Sequence, residues 1–172
     1  FYKEPSQINY PVVQGEDNDL YLHKTFSANE NTLGAIFVDA AASSDFTDKN
    51  TIIYGHRMKD GSMFRKLEEY KDKDFWKENP YFYIYTPDGK EITYKIYSVG
   101  QVLDTSDTYL TSFAGEEDYQ KFLDMTMKEA DYDTGVKVTT DDTIVTLSTC
   151  TAASDEHRFV VRGVKEKEVE LQ

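Results

Sequence analysis

The sequence predicts a mainly β protein with helical inserts, arranged as a closed or nearly closed barrel of about eight strands. Three observations carry that reading. β-Branched and aromatic runs recur between turn-forming clusters; the hydrophobic period becomes helical in two stretches; and a long, helix-containing excursion precedes the final pair of strands. With 172 residues, 39% of them hydrophobic, the chain can bury one sizeable core and is read as a single domain spanning 1–172.

Residues 1–7 are a polar lead-in. Residues 8–14 alternate as a strand does, and Pro11 confines that strand to an edge or a bulge. A turn at 15–19 leads to residues 20–26, which fit a short helix or a strand equally. After a loop at 27–32, the unbroken apolar run at 33–39 predicts a central strand, and residues 51–56 predict another that ends on His56. Phe64, Leu67, Tyr70, Phe75 and Trp76 then recur at helical spacing, giving a helix broken near 71–73 and stopped before Pro80.

Residues 81–85 and 91–99 are the clearest strands, joined through Pro87-Asp88-Gly89, a strong hairpin signal. Within the excursion at 103–142, Tyr119, Phe122, Leu123, Met125 and Met127 predict a helix opening with Glu116-Glu117-Asp118, acidic residues that suit the positive end of its dipole. Residues 143–150 read as a buried strand ending on Cys150, and residues 159–164 return alongside it with Arg158 just before them. A thiol and a guanidinium thus lie at the same end of neighbouring strands.

Composition excludes several functions. A net charge of −13 argues against nucleic acid, whose phosphates need clustered Lys and Arg. No apolar run approaches the roughly 18 to 20 residues of a membrane span. A single Cys rules out an intramolecular disulfide. The chain starts at Phe1, so a signal or anchor segment is expected to have preceded it.

A thiol becomes a useful nucleophile beside a base or cation, and a histidine within reach can protonate a leaving group. Taken as bare residues, Cys150 is equally a small buried hydrophobe, His56 a structural hydrogen-bonder and Arg158 a surface charge. Residue type and spacing leave both readings open.

The motifs narrow the choice. Thr146-Leu147-Ser148-Thr149-Cys150 with Arg158-Phe159-Val160-Val161, and upstream Ile53-Tyr54-Gly55-His56-Arg57-Met58-Lys59-Asp60-Gly61-Ser62-Met63-Phe64, closely resemble the class B sortases of Gram-positive bacteria. Asn9-Tyr10-Pro11-Val12-Val13-Gln14, Asp19-Leu20-Tyr21-Leu22-His23 and Gly34-Ala35-Ile36-Phe37-Val38-Asp39 extend the resemblance over nearly the whole chain in the right order. The long helical excursion also looks like class B, whereas the usual N-terminal lead-in helix is curtailed.

That resemblance implies a sortase-type barrel and a cysteine transpeptidase that cuts a C-terminal sorting signal between Thr and the next residue. It makes Cys150 the nucleophile, His56 the general acid and base, and Arg158 the group that holds the peptide backbone and oxyanion, with a thiolate beside an imidazolium as the active pair. Ser148, Thr149, Tyr109 and Leu110 are the substrate-binding candidates, though Ser148 fits a packed hydroxyl as well as a groove residue. The implied partners are surface proteins bearing the sorting motif and a cell-wall or pilin amine. The implied location is the extracellular face of the cytoplasmic membrane, behind a single-pass N-terminal anchor.

Arg162, four residues beyond Arg158, should lie roughly 13 Å from that strand end. It is read as structural, and its exchange for lysine is expected to matter little. His23 and His157 are read as surface or structural. Asp131-Tyr132-Asp133-Thr134-Gly135 hints at a calcium loop but lacks the third oxygen ligand and the closing glutamate, so neither metal nor cofactor is expected. Two alternatives remain: a cysteine peptidase that hydrolyses the same signal without transfer, and a surface binding module that has lost the chemistry. A papain-like enzyme would instead set its thiol at a helix N-terminus.

Overall fold

A computed structural model describes residues 2–3, 8–9, 12–13, 36–38, 46–56, 64–86, 89–103, 105–150 and 157–171, with the backbone alone at 2–3, 8–9, 12–13, 36–38, 56, 64–66 and 150. The expected turn at 15–19, the helix-or-strand segment 20–26, the loop 27–32, His23, Pro87-Asp88 and the connection at 151–156 lie outside the described residues.

Among the described residues nine strands build one sheet: β1 (Tyr2–Lys3), β2 (Ile8–Asn9), β3 (Val12–Val13), β4 (Ile36–Val38), β5 (Asn50–His56), β6 (Tyr81–Tyr85), β7 (Lys90–Leu103), β8 (Ile144–Cys150) and β9 (His157–Glu170). Their order is β2-β1-β6-β7-β9-β8-β5-β4-β3, antiparallel except where β3 meets β4 and β5 meets β8. Within the strand expected at 8–14 lie two short strands, β2 and β3, which sit at opposite ends of the sheet. Only Tyr10 and Pro11 separate Asn9 from Val12, a span of at most about 11 Å. The outer strands are therefore drawn together and the sheet is curled.

Both helical stretches fall where the apolar period changes. Phe64–Lys71 is a 3-10 segment, followed after Asp72 by α1 (Lys73–Glu78). The break follows from Asp72, whose carboxylate accepts from the Asp74 N–H as an N-cap. Leu67 and Tyr70 from this stretch enter a core with Ile53, Phe82, Ile84, Ile92, Tyr94, Ile96, Val145, Leu147, Phe159 and Val161. On the other side α2 (Glu116–Lys128) packs Tyr119, Phe122 and Leu123 against Tyr97, Ile144 and Val164. Among the described residues no helix is long and apolar enough to cross a membrane.

The hairpin of β6 and β7 forms across the expected turn, with the Gly89 N–H donating to the Thr86 carbonyl and Gly89 at φ 87°. β7 runs past its expected end at Val99 to Leu103, because its whole length is paired with β9.

Candidate active site

The site is assembled by strand register. β5 and β8 run parallel from Asn50↔Ile144 to His56↔Cys150, so the last residues of both strands are backbone neighbours. β9 runs antiparallel to β8, with Ser148 opposite Val160. Continued by two residues, that register sets Arg158 level with Cys150, while Val102 of β7 pairs with Arg158 on its other side. Alternation along strands puts positions 54, 148, 158 and 162 on one face, the face over which the excursion between β7 and β8 folds.

The Arg158 side chain is half-buried, and its Nη1 donates to the His157 carbonyl at 3.0 Å. His157 itself is exposed.

Tyr109 and Leu110 come from the end of a 3-10 turn, Asp107–Tyr109, within the excursion. Tyr109 Oη lies 2.7 Å from Ser148 Oγ. Because Ser148 directs its own hydrogen to the Thr149 carbonyl at 3.2 Å, the tyrosine is the donor. The Tyr109 ring also stacks on Tyr54, with centroids 6.2 Å apart and planes 12° from parallel. Leu110 is 46% exposed. The half-buried Tyr109 ring thus packs against β8 two residues before Cys150, and Leu110 follows it in the excursion.

Two candidates are buried. Ser148 is fully buried, its hydroxyl packed against Tyr109. Thr149 is 1% exposed and its Oγ1 accepts the Phe159 N–H at 2.9 Å, so its side chain ties β8 to β9.

Asn50 and Tyr54 were not legible as site residues. Asn50 is fully buried at the start of β5. Its Nδ2 donates to the carbonyls of Thr108 (3.2 Å) and Leu110 (2.8 Å), and its Oδ1 accepts from Thr146 Oγ1 (2.8 Å). Tyr54 stands two residues before His56 in β5, a sequence signal that could have found it.

Arg162 is structural, as expected, but the idea that lysine would serve there does not fit its contacts. It is fully buried; Nη1 donates to Ser98 Oγ at 2.9 Å, and Nη2 donates to Thr108 Oγ1 and, at 3.3 Å, to Glu129 Oε2. Burial lowers its pKa from the ordinary arginine value, opposed chiefly by Tyr97 and Glu129.

Among the described residues no group of three or more His, Cys, Asp or Glu is arranged to hold a metal ion. At the suspected calcium loop, Asp133 instead accepts the Gly135 N–H at 2.8 Å, closing a local turn around a residue at φ 72°.

Residues 4–166 match the sortase domain. The chain belongs to the sortase family. This sortase is 40% identical to sortase B of Listeria monocytogenes over 92% of its own length and 65% of that protein's. It is 36% identical to sortase B of Staphylococcus aureus over 88% of its length and 62% of the relative's, so it spans less than two thirds of either. Its structure superposes on a Staphylococcus aureus sortase B–substrate complex with a TM-score of 0.91 at 31% identity, covering 96% of this chain and 77% of that one. These likenesses place the sortase in class B, as the motifs around His56 and Cys150 implied.

Proposed function

We propose that this sortase is a cysteine transpeptidase that cleaves a C-terminal sorting signal of the NPxTN or xPxTG kind after its threonine and passes the acyl group to a cell-wall amine. What supports the reading is the His56↔Cys150 register pair, together with Arg158, which comes level with Cys150 when the β8–β9 register is continued two residues beyond Ser148↔Val160. The solved sortase B–substrate complex, so similar over nearly the whole chain, supports the substrate class.

In the first step the Cys150 thiolate attacks the threonine carbonyl carbon. A C–S bond forms, the peptide C–N bond breaks, and the His56 imidazolium gives its proton to the departing amine. In the second step the incoming amine attacks the thioester carbon. The C–S bond breaks, His56 takes the amine's proton, and the thiolate returns. Arg158, with its permanent charge and planar fork, holds the peptide backbone and stabilises the oxyanion in both steps.

Tyr109 and Leu110 wall the groove, Ser148 holds Tyr109 in place, and Thr149 contributes through its backbone. The curled sheet closes into a barrel between β2 and β3, a reading supported by the two residues between those strands. The protein works at the extracellular face of the cytoplasmic membrane behind an N-terminal anchor. Incubation with a sorting peptide, with and without an amine acceptor, tests the activity. Ligated product is expected; cleavage alone would mean a hydrolase, and neither would mean a binding module.

A further inference from the structure

The segment that carries the groove wall has almost no apolar anchorage of its own. From 105 to 112 every residue is exposed or half-buried except Thr108, which is completely buried. α2 is different, because Tyr119, Phe122 and Leu123 seat it on the sheet. Beside the Tyr109–Tyr54 stack, the described contacts that place the wall turn are polar, and most of them converge on Thr108 and its neighbours.

Thr108 Oγ1 accepts from Arg162 Nη2 and donates to Glu129 Oε2 at 3.3 Å. The Thr108 and Leu110 carbonyls share the two hydrogens of the Asn50 amide. Arg162 also reaches Glu129, the residue capping the end of α2, and through Nη1 it holds Ser98 Oγ, which itself donates to the Thr126 carbonyl at 2.7 Å. One guanidinium thus joins β7, β9, the wall turn and the last turn of α2.

A fully buried cation costs desolvation, and this one has a single half-exposed carboxylate and an Nε with no partner among the described contacts. Such an arrangement is poor value as plain stabilisation, since an apolar side chain of similar volume often does as well. It is better explained by what it fixes in space.

We propose that Arg162 is a positioning residue: with Thr108, Glu129 and Asn50 it locks the 3-10 turn that presents Tyr109 and Leu110, and so sets the peptide groove beside Cys150. The effect on the groove rests on the transpeptidase reading; the locking does not. Lysine is a poor substitute, because its single ammonium cannot reach Ser98 and the Thr108–Glu129 pair in two directions at once, and it sheds its proton more readily when buried.

The test compares wild type with Arg162→Met and Arg162→Lys. Three quantities are measured: amide hydrogen exchange at Tyr109 and Leu110, whose N–H groups bond the Ser106 and Asp107 carbonyls; kcat and KM for a sorting peptide; and the alkylation rate of Cys150 by iodoacetamide. Both variants should exchange at those amides at least about 10-fold faster while the amides of Phe122 and Leu123 keep their protection. Peptide KM should rise about 5- to 20-fold with kcat within about 2-fold, and alkylation should not change. Exchange rising equally across α2 and the sheet, with kcat falling, would mean a general structural role and overturn the proposal. So would unchanged exchange, unchanged KM, or full rescue by lysine. Should Arg162→Met not fold, Thr108→Val removes the shared hydroxyl and must give the same pattern. If wild type turns over no peptide, the transpeptidase reading falls, while the exchange at Tyr109 and Leu110 still decides whether Arg162 locks the turn.

Discussion

His56 and Cys150 are register partners at the end of the parallel ladder between β5 and β8, a ladder that starts at Asn50↔Ile144. Residues 94 positions apart in sequence are thereby fixed in relative height by seven consecutive backbone pairs. Rigid strands hold a reacting pair more closely than loops do, and proximity of this kind can supply much of a rate enhancement.

Replacing His56 by Asn keeps a polar side chain but removes a group able to give and take the proton at neutral pH. Peptide turnover should fall on the order of 10² to 10⁴, with KM much less affected. Steady-state kinetics on a fluorogenic sorting peptide give the answer, and a near-normal kcat would move the acid elsewhere.

Arg158→Lys keeps the charge and loses the two-pronged donor. Transpeptidation should drop on the order of 10² or more, while the pH profile of Cys150 alkylation stays nearly unchanged. A shifted alkylation profile would assign Arg158 to thiolate formation instead.

Asn50→Ala removes the two amide hydrogen bonds that Asn50 gives to the wall turn and leaves the Thr146 hydroxyl and the Thr108 carbonyl buried without this partner. A loss of roughly 1–3 kcal/mol is expected in urea unfolding, with no change in the m-value. A midpoint equal to wild type would show that the turn is held otherwise.

Burial pushes the Tyr97 phenol up to about 12. Tyr70, Tyr94, Tyr119 and Tyr132 are also raised, each chiefly by desolvation. Below the unfolded phenol value near 10 these groups are protonated in both states, and their contribution to stability is fully present. Above it the unfolded chain ionises first, so stability falls as pH climbs from about 10 through 12. Absorbance at the phenolate band should therefore rise in two phases, the second coincident with loss of the folded circular dichroism signal. A single phase completed in the folded protein would contradict this, and Tyr97→Phe should soften the fall.

The strands were legible because their runs are long and uniform: residues 81–85, 91–99 and 143–150 allow little else. The break between the two helical turns near 71–73 was legible too, since Asp72 is a good N-cap. The class B family was legible from motifs whose order is kept along the chain. What sequence did not give was the burial of polar side chains. Asn50, Thr108 and Arg162 lie in three separate segments and meet only because β5, β9 and the excursion are brought together; Arg162 was read as structural, but nothing in the sequence names its partners. Thr149 misled for a related reason: nothing in Ser148-Thr149-Cys150 reveals that its hydroxyl is taken by the Phe159 N–H.

The central claim is that Cys150 carries the acyl group in transit. Intact-mass analysis of the protein mixed with a sorting peptide, quenched in acid and digested, measures this directly. The expected adduct is a thioester on Cys150 with the mass of the peptide's N-terminal part through its threonine, the part beyond having left; it is discharged by hydroxylamine or an added amine and absent in a folded Cys150→Ala variant. Ligated product from Cys150→Ala, or turnover by wild type with the acyl group found on any other residue, would contradict it.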